Sequence, residues 1–241
     1  MKGKKAVKEA FAELAPRYEE TVDDELRTFW GWSYQGFVDH LIEQTPLKPG
    51  DTILDIATGT AVIPRKLIED ENKPEVRIIG LDITESMLVQ GKRRIPPDQF
   101  GSTISLACGD AMALPFYDNS FDIVITGLSS HHMKIPTLLS EVRRVLKPDG
   151  NFSMLDVGTS PIWKSSVVRA ILRAVAFSYF LLKENYSRAL AEASALSNVQ
   201  TIEDWRRDLE DIGFNHINTK KLQSKYKWFP EPFEILAYNK K

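Results

Sequence analysis

The chain has 241 residues, of which 43% are hydrophobic and 27% are charged, and its formal net charge at pH 7 is -2. This composition excludes disordered and collagen-like proteins, and the small negative charge disfavours a nucleic-acid partner. The single cysteine, Cys108, cannot form an internal disulfide, and the start of the chain lacks the pattern of a signal peptide. We therefore predict one cytoplasmic domain over residues 1–241, with an α/β core and added helices.

Residues 1–50 predict a helical cap at the start of the chain. Two amphipathic helices, Val7–Leu14 and Phe29–Glu43, are separated by a charged segment. The second helix concentrates aromatic side chains at a spacing that suits the protein core and a wall for a substrate equally: Trp30, Trp32, Tyr34 and Phe37. We expect both helices to cover the sheet that follows.

Between residues 51 and 158, β-branched apolar runs alternate with helical stretches, which is the pattern of βαβ units in a parallel sheet. Strands buried on both faces are predicted at Thr52–Ala57, Arg77–Ile83, Thr103–Ala107, Asp122–Thr126 and Asn151–Val157. Helices are predicted at Val62–Asp70, Glu85–Arg94 and Pro136–Leu146, with a helix stop and turn at Lys147–Gly150. Right-handed crossovers make this a doubly wound sheet.

Residues 159–200 predict a helical insertion, made of Ile162–Lys183 and Tyr186–Ala195. The first of these helices is apolar, but Arg169 and Arg173 interrupt it and it is too short to span a membrane. It is either part of the core or a lid over an apolar ligand, and a surface for dimerisation or peripheral membrane contact is the remaining alternative.

Residues 201–241 predict the last helix and two further strands. Thr201 is placed to cap the helix, which ends at Gly213. The strands are His216–Gln223 and Phe233–Asn239, joined by a loop that contains Pro230 and Pro232.

The loops after the strands hold the candidate ligand residues, because an open parallel sheet binds its ligand beyond the carboxyl ends of the strands. The first loop reads DIATGTA from Asp55 to Ala61, and Gly59 can take dihedral angles that are barred to other residues. Asp82, after strand two, is placed to accept hydrogen bonds from both hydroxyls of a ribose. These residues indicate a nucleotide-type ligand.

Asp55 separates the two classes of cofactor that share this layout. The pyrophosphate of a dinucleotide would lie near the first loop, where a carboxylate repels it. S-adenosylmethionine carries an ammonium and a sulfonium there instead. A GxGxxG motif also fails, because position 57 is Ala and position 62 is Val. S-adenosylmethionine is therefore favoured, and a nucleotide-dependent oxidoreductase is the weaker alternative.

The third and fourth loops complete the predicted site. Asp110 and Ala111 follow strand three, where a carboxylate and backbone amides can read the edge of an adenine. Strand four enters the site at Thr126–Leu128, which includes Gly127, and we expect the chemistry to occur there.

The motifs DIATGTA, GLDITESML, GDAMALPF, FDIVITG and VLKPDG together resemble class I S-adenosylmethionine-dependent methyltransferases. Among these, the chain is most similar to the methyltransferase type 11 branch that includes ubiquinone and menaquinone C-methyltransferases. The resemblance covers roughly Ala10 to Val157. It implies a Rossmann-like, mostly parallel seven-stranded sheet in the order 3-2-1-4-5-7-6, with N-terminal helices and a helical insertion after strand five.

The resemblance also implies roles for individual residues. Asp55 and Gly59 would hold the methionine part of the cofactor, Asp82 the ribose and Asp110 the adenine. The remaining implied cofactor contacts are Tyr18, Ala57, Ile83, Met87, Ala111 and Gly127. The sequence departs from the family at Ala61, where many members have glycine, and in the stretch GLSSHHM from residue 127 to 133.

His131 and His132 follow strand four, where an imidazole can act as a general base or contact the cofactor. We expect no metal, because the histidines and the cysteine show no recognisable ligand spacing. Cys108 is predicted to be a buried small hydrophobe.

The predicted function is methyl transfer to carbon or oxygen of a small apolar or aromatic molecule of the quinone, phenol, polyketide or isoprenoid type. The alternative is a non-methylating member of the fold, in which bound cofactor shapes a pocket for cyclisation or binding. A homodimer is compatible with the sequence, which leaves the oligomeric state open.

Overall fold

The computed structural model describes residues 2–70, 73–159, 161–225 and 231–240. Its centre is a seven-stranded sheet in the order β3-β2-β1-β4-β5-β7-β6. The strands are β1 Thr52–Ile56, β2 Arg77–Asp82, β3 Ile104–Cys108, β4 Phe121–Gly127, β5 Leu146–Val157, β6 Asn215–Lys221 and β7 Pro232–Tyr238. β7 is antiparallel to β5 and β6, and the other neighbouring strands are parallel. The predicted class and strand order are confirmed.

Helices surround this sheet and also form the predicted N-terminal cap and the insertion after β5. They are α1 Lys2–Leu14, α2 Tyr18–Phe29, α3 Tyr34–Gln44, α4 Val62–Glu69, α5 Glu85–Arg94, α6 Ile135–Val145, α7 Ser166–Lys183, α8 Tyr186–Ala195 and α9 Ile202–Ile212. Thr201 caps α9 as predicted, since its Oγ1 accepts a hydrogen bond of 3.2 Å from the backbone N–H of Asp204.

Alternate residues of the central strands enter two separate hydrophobic cores. On β1, Leu54 packs with α6 and α9, whereas Ile53 packs with α3 and α4. On β4, Val124 and Ile123 divide in the same way. The side chains of a strand point to opposite faces in turn, so this division shows that helices bury both faces of the sheet.

The prediction for the N-terminal cap was wrong between residues 18 and 43. The charged segment is itself the helix α2, with its apolar residues Val22 and Leu26 buried at helical spacing. The break comes later, at residues 30–33, where Gly31 has a φ of +79°. Ser33 then caps α3, because its Oγ accepts a hydrogen bond of 3.0 Å from the backbone N–H of Gly36.

Two smaller expectations also fail. The predicted turn at Lys147–Gly150 lies inside β5, where the pairing with β4 shifts register as a bulge and Asp149 has a φ of +62°. Cys108 is exposed rather than buried, because β3 is the edge strand of the sheet. The predicted loop residue Pro230 lies outside the described residues.

Candidate functional site

A cavity of about 770 Å³, open to solvent, lies where the loops after β1 to β4 converge. Every residue predicted to bind the cofactor lines it except Asp55: Tyr18, Ala57, Gly59, Asp82, Ile83, Met87, Asp110, Ala111 and Gly127. Helix α1 adds Lys4, Val7 and Phe11. We refer to this space as the first cavity.

The first loop forms a narrow backbone wall of this cavity. Ala57 and Gly59 have φ values of +57° and +54°. A Cβ atom on Gly59 would lie 3.5 Å from Cε of Met87 and 3.6 Å from Cε1 of Tyr18. A side chain at this position would therefore fill space that the cavity needs and would strain the backbone.

Ala61, the departure from the family pattern, is accommodated by a glycine on a neighbouring helix. Ala61 is fully buried with a φ of +59°. A Cβ atom on Gly91 of α5 would lie 3.1 Å from Cβ of Ala61. The missing side chain of Gly91 thus leaves room for the methyl group of Ala61, so the close packing of α5 on the loop is kept.

The carboxylate of Asp82 joins the first loop to the end of β2. Its Oδ2 accepts a hydrogen bond of 3.0 Å from the backbone N–H of Gly59, and its Oδ1 accepts one of 2.8 Å from that of Thr84. Burial raises the pKa of Asp82, while these amides oppose the rise. An ionised carboxylate offers about four lone-pair sites, so Asp82 can accept a further hydrogen bond from a ligand donor in the first cavity.

Asp55 does not line the cavity, yet it is an unusual buried acid. Only 1% of the residue is exposed, and neither carboxylate oxygen accepts a hydrogen bond from a residue that the structure describes. Burial raises the pKa of Asp55 to about 8, and the nearby hydroxyl of Thr58 opposes the rise. A buried carboxylate with so few donors is costly, so this position fits a cationic ligand group that would supply more of them.

Asp110 already has a cationic partner. The ammonium of Lys4 in α1 forms an ion pair with Oδ2, and Oδ1 accepts a hydrogen bond of 3.0 Å from the backbone N–H of Met112. Partial burial opposes ionisation, but Lys4 and the amide outweigh it and hold the pKa of Asp110 below its ordinary value. Lys4 therefore occupies one of the two carboxylate oxygens that are predicted to meet an adenine amine.

We expect the substitution Lys4→Met to strengthen binding of S-adenosylhomocysteine by up to about fivefold. The ion pair is half exposed, so breaking it costs a ligand about 0–1 kcal/mol. Isothermal titration calorimetry of the two proteins measures the difference. Lys5→Met, on the same helix, is the control because Lys5 pairs with Glu9 instead. Weaker binding by the Lys4 variant would show that Lys4 itself holds the ligand.

A second and larger cavity, of about 1400 Å³, lies beside the first, between the N-terminal cap and the insertion. Its walls are mostly apolar, and α7 contributes Leu172, Val175, Ala176, Tyr179 and Phe180. The two cavities share lining residues: Phe11, Tyr18, Leu128 and His132. The second cavity therefore adjoins the first at the end of β4, where the sequence predicts the chemistry.

His131 lines the second cavity and lies against a buried carboxylate. Its Nδ1 is 3.5 Å from Oδ1 of Asp156, which is 1% exposed at the end of β5. Asp156 is oriented by Ser130, whose backbone N–H and hydroxyl donate hydrogen bonds of 2.9 and 2.6 Å to Oδ2. Burial alone would lower the pKa of His131, but Asp156 outweighs it and raises that pKa.

His132 stands between the two cavities. The ring of Phe11 packs edge-on against its imidazole at a centroid distance of 5.3 Å. Burial, and then the neighbouring His131, lower the pKa of His132, although Glu192 lies 3.6 Å from its Nε2. His132 is therefore favoured in its neutral form.

Ligand atoms of His131, His132 and Glu192 lie within 4.8 Å of one another, an arrangement that can hold a divalent metal ion. Residue spacing does not reveal this set, because Glu192 lies on α8, far along the chain from the two histidines. However, Nη1 of Arg188 lies 3.2 Å from Oε1 of Glu192 and already neutralises that carboxylate. The absence of a metal stays a prediction.

The charged residues that face this apolar space were missed by sequence reasoning: Glu25, Arg188 and Glu192. They lie on different helices that come together only through tertiary packing, so no local sequence pattern predicts that these residues share a cavity. Asp156 was also missed, although it ends β5 in the same manner as Asp55 ends β1 and Asp82 ends β2. The rule that ligand-binding residues follow the carboxyl ends of parallel strands, which identified Asp55 and Asp82, would also have identified Asp156.

The aromatic and apolar groups divide between core and cavity. Tyr34 and Phe37 belong to the buried core, whereas Trp30 lines the second cavity. Helix α7 has one face on that cavity and exposes other apolar residues, including Val167 and Ile171. Among the described residues, no helix is long and apolar enough to cross a membrane.

The strand order and the site at the carboxyl ends of β1 to β4 define a Rossmann-like protein of the class I methyltransferase fold. Solved structures agree on the fold. Geranyl diphosphate C-methyltransferase from Streptomyces coelicolor A3(2) has a TM-score of 0.66 and 15% identity, covering 92% of this chain and 84% of that one. The [4+2]-cyclase SpnF has a TM-score of 0.64 and 17% identity, with 86% and 82% covered.

The chain belongs to the ubiE/COQ5 methyltransferase family, whose profile matches residues 1–185. A curated relative, the demethylmenaquinone methyltransferase of Symbiobacterium thermophilum, is 38% identical over 151 residues. That alignment covers 62% of this chain and 58% of the relative. The chain thus spans less than two thirds of the length of this relative, and the resemblance to the quinone branch is confirmed at the level of the family.

Proposed function

We propose that the chain binds S-adenosylmethionine in the first cavity and transfers its methyl group to carbon or oxygen of a small apolar molecule in the second. The observation that carries this proposal is the junction of the two cavities at Phe11, Tyr18, Leu128 and His132. Two reactants held on either side of such a junction are positioned for in-line transfer. Positioning the two reactants is the main way in which an enzyme accelerates this reaction.

The polar groups of the first cavity suit this cofactor. When bound, S-adenosylmethionine supplies an electrophilic methyl group. Asp82 would accept hydrogen bonds from the ribose, and Asp110 would accept one from the adenine amine once Lys4 moves away. Asp55, which lacks donors among the described residues, would balance the positive charge of the methionine part. A pyrophosphate would gain nothing from these three carboxylates, which disfavours a dinucleotide.

The chain also holds a candidate general base. An acceptor hydroxyl loses its proton as the neighbouring carbon or the oxygen itself attacks the methyl group. His131 is suited to take that proton, because Asp156 lies beside Nδ1 and leaves Nε2 for the acceptor. His132 stands at the junction of the cavities, and its neutral form would serve as a contact to either reactant.

A quinone-type acceptor is the favoured member of the predicted substrate classes. The relative from Symbiobacterium thermophilum acts, by its name, on demethylmenaquinone, and the large apolar second cavity suits a ring with a hydrocarbon chain. Cyclisation without methyl transfer is the second candidate, because SpnF shares the fold.

Thermal unfolding with added cofactors tests the first half of the proposal. S-adenosylhomocysteine should raise the melting temperature, whereas NAD should leave it unchanged, because a ligand stabilises a protein that binds it in the folded state. Stabilisation by NAD alone would reverse the assignment to the oxidoreductase alternative.

The exposed face of α7 is proposed to rest on a membrane surface. Its residues Val167 and Ile171 are 66% and 58% exposed, while the opposite face of the same helix lines the acceptor cavity. An apolar acceptor dissolved in a membrane could then enter beneath α7. The predicted cytoplasmic location is compatible with such peripheral contact and stays a prediction.

We expect the double variant Val167→Ser with Ile171→Ser to lose most of its co-sedimentation with phosphatidylglycerol vesicles. Each serine removes apolar area that would otherwise be buried among acyl chains. Tyr117→Ser is the control, since Tyr117 is 90% exposed on the loop before β4. If vesicles do not retain the unaltered chain, the proposed membrane contact fails. Weaker dimerisation of the double variant in analytical ultracentrifugation would assign the face to self-association instead.

A further inference from the structure

Arg188 is a buried cation with hydrogen-bond donors that the described residues do not satisfy. Its side chain is 6% exposed and lines the second cavity. Neither Nε nor Nη1 donates a hydrogen bond to a residue that the structure describes. Buried donors of a guanidinium are expensive to leave without acceptors, so these atoms point to a ligand.

The surrounding residues hold the guanidinium in one orientation. The guanidinium lies over the rings of both Phe11 and Phe180, with ring centroids 5.0 and 5.3 Å from Cζ. Nη2 lies 3.3 Å from Oε2 of Glu25, and Nη1 lies 3.2 Å from Oε1 of Glu192 without hydrogen-bond geometry. A guanidinium fixed in this way loses little entropy when it binds a further oxygen atom.

The charge on this wall is already balanced. Arg188 faces Glu192, whose pKa its guanidinium lowers against the effect of burial, and Glu25, whose pKa burial raises to about 7. The cavity therefore offers hydrogen-bond donors without a surplus of positive charge. An anionic ligand would meet the carboxylates of Glu25 and Glu192 and would lose more than it gains.

Building on the proposed methyl transfer, we propose that Arg188 binds an oxygen atom of the acceptor and that Glu25 and Glu192 select an uncharged hydroxyl- or carbonyl-bearing ring. A carboxylate or a diphosphate on the same apolar body would be rejected. This selection contrasts with the geranyl diphosphate C-methyltransferase of similar fold, whose structure holds a diphosphate together with Mg²⁺.

Calorimetric titration with 2-naphthol and 2-naphthoate tests the inference, because the two probes share an aromatic body and differ in charge. We expect 2-naphthol to bind at least tenfold more tightly than 2-naphthoate. Arg188→Met should weaken 2-naphthol at least tenfold, since it removes a hydrogen bond from a charged donor. Arg188→Lys should recover part of the loss.

The variant Glu25→Gln gives the sharper result when the titrations are run at pH 8.5, where Glu25, with its pKa of about 7, is ionised. It should then tighten 2-naphthoate at least tenfold and change 2-naphthol less than threefold. Glu9→Gln is the matched control: Glu9 pairs with Lys5 and lies outside the lining of both cavities. It should alter neither probe more than twofold. Equal affinity of the unaltered chain for both probes would overturn the inference, as would an Arg188→Met variant that binds 2-naphthol normally.

The titrations are run with and without S-adenosylhomocysteine, so that the two proposals can fail separately. Unchanged affinity of Arg188→Met for S-adenosylhomocysteine shows that the variant is folded. If S-adenosylhomocysteine does not bind the unaltered chain, the proposed function fails, while the comparison of the two naphthalene probes still decides the inference.

Discussion

The substitution Asp82→Ala is expected to weaken binding of S-adenosylmethionine at least 100-fold. The carboxylate holds the first loop through Gly59 and the start of α5 through Thr84, and it is the proposed acceptor for the ribose hydroxyls. Hydrogen bonds to a charged group contribute about 1.5–3 kcal/mol each, and two of them account for a loss of this size. Isothermal titration calorimetry measures it directly.

Asp122→Ala is the matched control for this experiment. Asp122 also accepts a hydrogen bond from a backbone N–H, that of Thr52 at 2.9 Å, and it pairs with Lys147. It lies, however, at the amino end of β4, on the opposite edge of the sheet from the first cavity. Its loss should change cofactor affinity less than twofold. An Asp82→Ala protein with nearly unchanged affinity would mean that the ribose lies elsewhere.

Replacing Asp156 by asparagine is expected to lower kcat at least about 100-fold, the usual contribution of a general base. Asp156 raises the pKa of His131, and asparagine removes that effect, so the pKa of His131 falls. A base acts in its unprotonated form, and the rate therefore rises with pH through this pKa. In the variant, the rise should move to lower pH and reach a lower plateau.

His131→Gln should lower kcat by a similar factor and abolish the rise with pH altogether. Affinity for S-adenosylhomocysteine should stay the same in both variants, which separates catalysis from folding. His40→Gln is the control, because His40 also pairs with a carboxylate, that of Glu234 at 2.5 Å, but lies outside both cavities. A pH profile unaltered in Asp156→Asn would assign the base to another group.

The grouping of residues in the first cavity, where we propose that the cofactor binds, was largely predictable from sequence, for a geometric reason. Parallel strands bring the loops that follow them to one edge of the sheet, so a short motif after each strand is enough to place Gly59, Asp82 and Asp110 together. Ala61 marks the limit of that approach, since its fit depends on Gly91, a residue on another element.

The second cavity, where we propose that the acceptor binds, could not be predicted because it is built from helix packing. Arg188 and Glu25 are 163 residues apart in sequence. They come together only in the folded chain, where α8 and α2 both line the second cavity. The aromatic residues after Phe29 likewise predicted one continuous helix. The positive φ of Gly31 and the cap at Ser33 instead divide that stretch into two helices. Trp30 lies at the break and lines the second cavity.

Methyl transfer is tested most directly by transfer of label from methyl-labelled S-adenosylmethionine to a 1,4-naphthohydroquinone with an apolar side chain, followed by chromatography of the product. At a cofactor concentration near the Kd of the unaltered chain, we expect labelled product with that chain, almost none with Asp82→Ala and a severely reduced yield with His131→Gln. Stoichiometric binding of the cofactor without label in any quinol, phenol, polyketide or isoprenoid offered would contradict methyl transfer and favour a cyclase or binding pocket.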